Sequence, residues 1–186
     1  MAYASWSVSF GEQPSAAKWN ILGTNDASFN DGTGIFGLKK DLLATDSNPY
    51  KFYVYRSTAW STGSSAYAKV AFNAEVFDTN NNFDSTTNNR YVAPVAGFYN
   101  FSTACAFDVT AGGAYVVSLY KNNAEILRFM QSEADNVNTL TACVGGSGIL
   151  QLSAGDYVEV FVYGTGSTGH YGATLTWFQG FLVSRT

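Results

Sequence analysis

From Tyr50 onward, apolar residues recur at every second position in short runs, such as Phe52 with Val54 and Val117 with Leu119. Turn-forming clusters separate the runs at intervals of about 8 to 15 residues. These clusters are Thr62-Gly63, Asn80-Asn81-Asn82, Ala111-Gly112-Gly113, Asn122-Asn123, Gly145-Gly146-Ser147-Gly148, Ala154-Gly155-Asp156 and Gly164-Thr165-Gly166. A period of two with turns this frequent predicts an all-β sandwich or jelly roll rather than alternating strands and helices.

The first 45 residues have a different pattern. Residues 13–23 predict a short helix, with Pro14 near its start, an apolar cluster around Trp19 and Gly23 as its C-terminal stop. So short a helix is unstable alone, and we expect its apolar side to dock on a neighbour. The break at 46–49 predicts two parts: a docking segment with a short helix over 1–48 and a jelly roll over 49–186.

Charge is scarce, which bears on the possible partners. Charged residues make up 13% of the chain and hydrophobic residues 46%, and the net charge is −4. Lys and Arg supply most of the affinity for phosphates, so an acidic chain with ten of them excludes nucleic acid as a partner. A surface rich in Asn, Ser, Thr, Gly and Tyr suits extracellular or virion exposure, where identical neighbours cover part of it. The alternative is an ordinary hydroxyl-rich β-protein.

The chain shows no signal for entering a membrane. It contains no apolar stretch of about 18 residues, and residues 1–6 have neither a basic region nor an apolar core. We therefore expect synthesis in a host cytoplasm without a signal peptide and no membrane insertion. Release inside a particle by lysis, or export through a dedicated machine, is compatible with this.

The chain has few metal ligands. Two cysteines, Cys105 and Cys143, and a single histidine cannot build a structural zinc site. Both cysteines lie in strand-like stretches, and we expect buried free thiols, with a disulfide as the alternative. Oxygen side chains alternate from Asp78 to Asp84, but Phe83 stands where a calcium loop needs Gly, so an Asn-rich turn competes with a calcium site. We predict no metal and no cofactor.

Residues 164–169 match the dinucleotide-binding fingerprint letter for letter. That fingerprint requires the loop to open a helix, whereas residues 170–177 predict a strand, so we interpret it as a flexible loop between the last two strands. The only imidazole, His170, lies in this mobile loop with no carboxylate nearby in sequence to orient it. We predict no catalytic residue and no enzymatic activity; the alternative is a polysaccharide-degrading enzyme.

A dense motif surrounds Pro94. In Arg90–Ser102 an aromatic residue is followed by Pro and then by Gly-x-Tyr-x-Phe, and this segment resembles the C1q-like branch of the tumour necrosis factor superfamily. Further similarities follow in the order of the family: Phe72, Phe77-Asp78, Phe83, Leu119-Tyr120-Lys121-Asn122, Leu152-Ser153-Ala154-Gly155-Asp156-Tyr157-Val158 and Phe178-Gln179-Gly180-Phe181-Leu182. Asn123 departs from the usual Gly, and there is no collagen-like stalk. The resemblance implies a ten-stranded jelly-roll sandwich that forms a homotrimer and binds ligands.

The segment from Phe10 to Ile35 separately resembles N-terminal segments of phage fibre or adhesin structural proteins. Together the two resemblances imply a non-enzymatic, trimeric virion protein on the phage particle surface, attached to the virion or fibre through residues 1–45. A receptor-binding protein of a tail fibre, adhering to a bacterial cell-surface glycan or protein, is the favoured interpretation. A structural capsid decoration or head-fibre protein is the alternative.

Aromatic side chains near predicted loops are the candidates for ligand binding. Trp60, Tyr67 and Tyr171 could stack on the C–H faces of a carbohydrate, and His170 lies beside Tyr171. Burial of these side chains in the core or in a trimer interface is the alternative.

Overall fold

The computed structural model describes residues 48–63, 65–133, 141–165 and 169–186. The chain divides into two units, Met1–Ser47 and Asn48–Thr186. The predicted N-terminal helix and the attachment segment lie outside the described residues.

The described residues form thirteen strands and one short 3₁₀ turn, rather than the ten strands that the resemblance implies, because several brief pairings of two or three residues are present. The strands are β1 (Lys51–Tyr55), β2 (Trp60–Ser61), β3 (Ala68–Lys69), β4 (Ala74–Asp78), β5 (Phe83–Asp84), β6 (Arg90–Val92), β7 (Gly97–Asp108), β8 (Ala114–Lys121), β9 (Ala124–Glu133), β10 (Thr141–Leu152), β11 (Tyr157–Gly164), β12 (Gly169–Tyr171) and β13 (Trp177–Arg185), with the 3₁₀ turn at Ala173–Leu175.

The strands build two antiparallel sheets. The first sheet has the order β2-β12-β7-β13-β1-β4, and β10 pairs with β7. The second has the order β5-β6-β11-β8-β9, and β3 pairs with β11. Strands β12 and β13 both pair with β7, which places the 3₁₀ turn between them. The predicted all-β jelly-roll-like sandwich is thereby confirmed.

The core between the sheets is mainly aromatic. The ring of Phe52 lies 4.7 Å from that of Tyr91, 5.4 Å from that of Phe83 and 5.0 Å from that of Phe178, measured between centroids. Strand β11 adds Val158, Val160 and Val162, all buried. Every second side chain along β1, β7 and β11 is buried, as the period of two predicts, and Ala106 of β7 and Glu159 of β11 are buried as well.

The composition of the glycine-rich run 145–148 predicts a turn, but in the structure this run forms the middle of strand β10. The predicted turn is therefore wrong. A Cβ on Gly145 would lie 2.1 Å from the Thr103 carbonyl oxygen, and one on Gly148 would lie 2.3 Å from Leu127 Cδ2. Close approach of neighbouring backbone and side chains thus explains glycine here, and no chain reversal is involved.

Candidate functional site

Two of the four candidate side chains meet at the edge of the first sheet. Strand β12 pairs with β2 so that His170 lies opposite Trp60, and it pairs with β7 so that His170 also lies opposite Phe107. The imidazole stacks on the Trp60 ring at 4.2 Å between centroids and 21° between planes, and it lies 5.0 Å from the Phe107 ring. The sequence separates Trp60 from His170 widely, and strand pairing brings them together.

His170 is buried, with only 4% of its surface exposed, and the expectation of a mobile loop is wrong for this residue. Its Nε2 lies 3.0 Å from Thr62 Oγ1, while its Nδ1 and the Trp60 Nε1 have no hydrogen-bond partner among the described residues. Burial lowers the pKa of His170 to about 4, so the ring is neutral at pH 7. Buried, neutral and stacked, it fixes the edge of the sheet.

Tyr171 follows His170 and points away from this stack, with 39% of its surface exposed. Strand β12 places it opposite Ala106 of β7. Because successive strand residues face opposite sides of a sheet, burial of His170 requires Tyr171 to face outward. Of the three candidates at this edge, Tyr171 is therefore the most accessible to a ligand.

Tyr67 lies against the second sheet. It is also 39% exposed, and its ring centroid lies 5.1 Å from that of Tyr163 and 6.3 Å from that of Tyr120. Tyr120 in turn packs on Phe161 at 4.2 Å. These four residues, Tyr67, Tyr120, Phe161 and Tyr163, form what we term the tyrosine platform, on the outer face of β8 and β11.

Polar groups border the tyrosine platform. Arg128 Nη2 donates to the Tyr67 hydroxyl at 2.8 Å, and the same guanidinium holds Glu125 through two hydrogen bonds of 2.9 and 3.1 Å. The Ser118 hydroxyl donates to Glu125 at 2.7 Å. The bonds from Arg128 and Ser118 lower the pKa of Glu125, and those to Glu125 raise the pKa of Arg128, so both groups remain charged and compensate each other.

The sequence indicates Tyr67 but not its partners Tyr120, Tyr163 and Arg128. In β11, Phe161 and Tyr163 alternate with the buried valines, so aromatic residues at outward positions were the available signal. The pairing of β3 with β11, which brings the end of the 57–66 loop to this face, could not be inferred from spacing alone.

The outer face of the first sheet is unusually apolar. Phe181 of β13 and Ile149 of β10 flank Asn100 of β7, and Phe98 lies one pair further along β7. Phe77, Phe98, Ile149, Phe181 and Val183 are 39% to 60% exposed. Tyr53 connects this set to Trp177 and Phe77 by edge-on ring contacts of 6.1 and 6.2 Å. We refer to this surface as the apolar face.

The cysteines are free thiols at neighbouring positions of paired strands. Cys105 is buried, and burial raises its pKa to about 12, which keeps it protonated. Cys143 is exposed, contrary to the expectation that both are buried. It lines a shallow depression of about 430 Å³ on the apolar face, between Ser102, Ala104 and Trp177.

The Asn-rich loop between β4 and β5 uses its carboxylates internally. Asp78 accepts the amide of Phe83 at 2.6 Å, and Asp84 accepts the amides of Thr86, Thr87 and Asn88. Those amides hold the pKa of Asp84 well below its usual range. The Asn-rich turn therefore accounts for these side chains. No group of three or more potential metal ligands occurs in the described ranges.

The family is decided by the match over the strands just described. Residues 51–183, from β1 into β13, match the C1q domain. This chain belongs to the C1q domain family. The resemblance carried by Arg90–Ser102 is thereby confirmed, and this C1q domain places the apolar face and the tyrosine platform on the two opposite outer faces of its sandwich.

Solved structures agree on the fold. The globular domain of zebrafish complement 1qA is 23% identical, with a TM-score of 0.56, and the match covers 74% of this chain and 99% of that one. Murine APRIL is 13% identical with a TM-score of 0.54, over 72% and 98% of the two chains. The Eiger TNF of S. frugiperda is 12% identical with a TM-score of 0.57, over 75% and 95%. At these identities the likeness shows the fold alone.

Two curated relatives come from Bacillus subtilis (strain 168). Phage-like element PBSX protein XkdV is 32% identical over 101 residues, which are 51% of this chain and 15% of that protein. The uncharacterized protein YqcC is 28% identical over 101 residues, which are 52% of this chain and 27% of that protein. The matches thus span between about a seventh and a quarter of the relatives' lengths. In the part of the chain that the structure describes, no helix is long and apolar enough to cross a membrane.

Proposed function

We propose that this C1q domain is a non-enzymatic, homotrimeric protein on the surface of a phage or phage-like particle, where it recognises a bacterial cell-surface glycan or protein. Self-association is the step on which the rest depends, because three identical sites on one body act together through their effective concentration.

The apolar face is the observation that carries this proposal. Soluble monomers rarely expose a contiguous apolar surface of this kind, and larger exposed patches mark sites of association. The face consists of the outer side of five strands, β4, β1, β13, β7 and β10, with uncharged Asn100, Ser102 and Ser147 at its centre. A second and third copy of the chain are the partners that we assign to it.

The particle location draws on the curated relatives. XkdV is named as a protein of a phage-like element, and the shared 101 residues support the same setting for this chain. Residues 1–45 would supply the attachment to the virion or fibre, since the segment from Phe10 to Ile35 resembles phage fibre or adhesin structural proteins, and the jelly roll over 49–186 would project from the particle.

The exposed rings supply the ligand contacts in this proposal. Tyr67 and Tyr171, equally exposed at two different places, would contact a glycan directly. Trp60 and His170 would contribute indirectly, because their stacked rings hold β12, which carries Tyr171, against β2 and β7.

Adsorption of particles that lack the protein tests the proposal. We expect such particles to assemble and to adsorb to host cells at a strongly reduced rate, and protein supplied from a plasmid during assembly should restore adsorption. A copy limited to residues 49–186 should fold but fail to restore it, because the attachment segment is missing. Normal adsorption without the protein would contradict receptor binding and favour a structural decoration of the capsid or a head fibre.

A further inference from the structure

We propose that the tyrosine platform is the ligand site of this domain and that its ligand is an uncharged saccharide. This inference rests on the proposed function and deepens it, since of the two exposed tyrosines it assigns recognition to Tyr67 on the second sheet, not to Tyr171 on the first, and it assigns the ligand to one chemical class.

The shape of the tyrosine platform suits sugar rings. The ring of Tyr67 is tilted by 56° to that of Tyr120 and by 38° to that of Tyr163, so the three phenols present ring faces and edges with hydroxyl groups at their tips. A pyranose has an apolar C–H face for stacking and hydroxyls at its rim, and tyrosine offers the complementary combination of an apolar body and a polar tip. Tyrosine also contributes contact area at a low cost in side-chain entropy.

The polar border of the tyrosine platform is fixed before any ligand arrives. Arg128 is held by Glu125 and Tyr67, and Glu125 is held by Ser118. Donors and acceptors therefore lie side by side in a defined geometry on strands β8 and β9. Such a preorganised array matches vicinal hydroxyls, each of which both donates and accepts.

The charge balance of the tyrosine platform favours an uncharged ligand. The guanidinium of Arg128 is matched by the carboxylate of Glu125, and nearby Lys69 is matched by Glu159 at 3.0 Å. A site for a phosphate or a uronic acid would leave a guanidinium or an ammonium group without an internal partner. Neither of these cations is left without one.

The size of the tyrosine platform favours a saccharide over a protein. Tyr120, Phe161 and Tyr163 are half-buried, so the ring area that is still open is on the order of 200 Å². A stable protein interface needs about 800 Å² on each partner. The open area corresponds to one or two sugar units. Because the two outer faces of a sandwich are opposite, trimers formed through the apolar face leave three such platforms open to solvent.

Titration calorimetry on the full 186-residue protein tests the inference. The probes are neutral hexose and N-acetylhexosamine oligosaccharides, chosen by an array, with uronic acid oligosaccharides of equal length as the anionic series. Tyr67→Ala should weaken binding of the neutral probe by about tenfold, since a stacking ring is lost. Tyr67→Phe keeps the ring and should weaken it by about twofold to threefold. Leu175→Ala removes a side chain of similar exposure, 41%, from the 3₁₀ turn and should change nothing.

Three results would overturn the inference. They are neutral saccharides that fail to bind at all, a Tyr67→Ala variant that binds as the wild type does, and anionic probes that bind more tightly in a salt-dependent manner. Binding to cell-envelope proteins that survives periodate oxidation of their sugars, combined with no saccharide binding, would assign a protein ligand instead. If Tyr67→Ala loses saccharide binding but particles that lack the protein adsorb normally, the proposed receptor-binding function is contradicted, while the tyrosine platform is still supported as a saccharide site.

Discussion

Buried ionisable side chains give this C1q domain its dependence on pH. His170 is the single histidine of the chain, and its neutral form is favoured because the ring is packed between Trp60 and Phe107. The unfolded chain binds a proton below a pKa of about 6.5, whereas the folded chain resists protonation until about pH 4. As pH falls between these values the unfolded state gains protons first, so stability is complete above pH 6.5 and falls toward pH 4.

We expect the free energy of unfolding to decrease by about 2 kcal/mol between pH 7 and pH 5. Urea unfolding at intervals of half a pH unit measures it. His170→Phe keeps a ring in the stack and removes the titration, so its stability should be nearly flat over this range. Equal slopes in the two proteins would contradict the assignment to His170.

Glu159 is a buried charge on the outer side of β11, 4% exposed, and Lys69 of β3 holds one of its oxygens at 3.0 Å. Its other oxygen has no partner among the described residues. Lys69→Met should destabilise the fold by about 2 to 3 kcal/mol, because the Glu159 carboxylate loses its countercharge. This loss is smaller than that expected for a fully buried ion pair, since Lys69 is 35% exposed. Chemical denaturation of the single variant and of the double variant Lys69→Met with Glu159→Gln decides the cause. The double variant should recover part of the loss, and an equal or greater loss would contradict this explanation.

Among the strands and turns, β10 shows where prediction of secondary structure from the sequence fails. The strands β1, β7 and β11 follow from a period of two, whereas β8 is buried at every position from Tyr115 to Leu119. The turns at 80–82, 111–113 and 122–123 follow from Gly and Asn. The run 145–148 could not be assigned in the same way, because glycine marks close packing as well as turns. Only the neighbours Thr103 and Leu127, distant in sequence, distinguish these two roles.

Substituting alanine at three glycines distinguishes two effects on stability: steric clash with packed neighbours and loss of backbone freedom in the unfolded chain. Gly145→Ala should destabilise the fold by about 3 kcal/mol, because the added methyl meets the Thr103 backbone, which cannot move aside. Gly148→Ala should cost about 1 kcal/mol, since the flexible end of Leu127 can shift. Gly63→Ala has no atom within 4 Å of the new methyl, and it should be neutral or stabilise by up to about 1 kcal/mol. Thermal unfolding gives the order, and a loss at Gly63 equal to that at Gly145 would refute the packing argument.

The candidate site was predictable in part. Aromatic residues in a loop indicated Tyr67, but the buried stack of Trp60 and His170 depends on β2 and β12 pairing, which neither two-residue nor three-residue strand signals by itself. The tyrosine platform required the register of β3 on β11, and the apolar face required knowing which strands are neighbours. Each of these features was missed because it depends on pairing between strands that are far apart in the sequence.

At the level of the whole molecule, the proposed function gives the two outer faces of the sandwich different roles. In the proposed trimer the apolar face would contact the other copies, and the opposite face would leave the tyrosine platform open to solvent. Phe181→Asp places a charge on the apolar face and should convert trimers to monomers without loss of the β-sheet circular dichroism signal. Ile126→Asp, at a side chain of 40% exposure on the second sheet, is the matched control and should remain trimeric. Dissociation by both variants would show that the effect is not specific to the apolar face.

Sedimentation equilibrium of the 186-residue chain at micromolar concentration measures whether the proposed homotrimer forms. The proposed homotrimer should give a single species with three times the chain mass of 20.0 kDa. A stable species at the mass of one chain would contradict it.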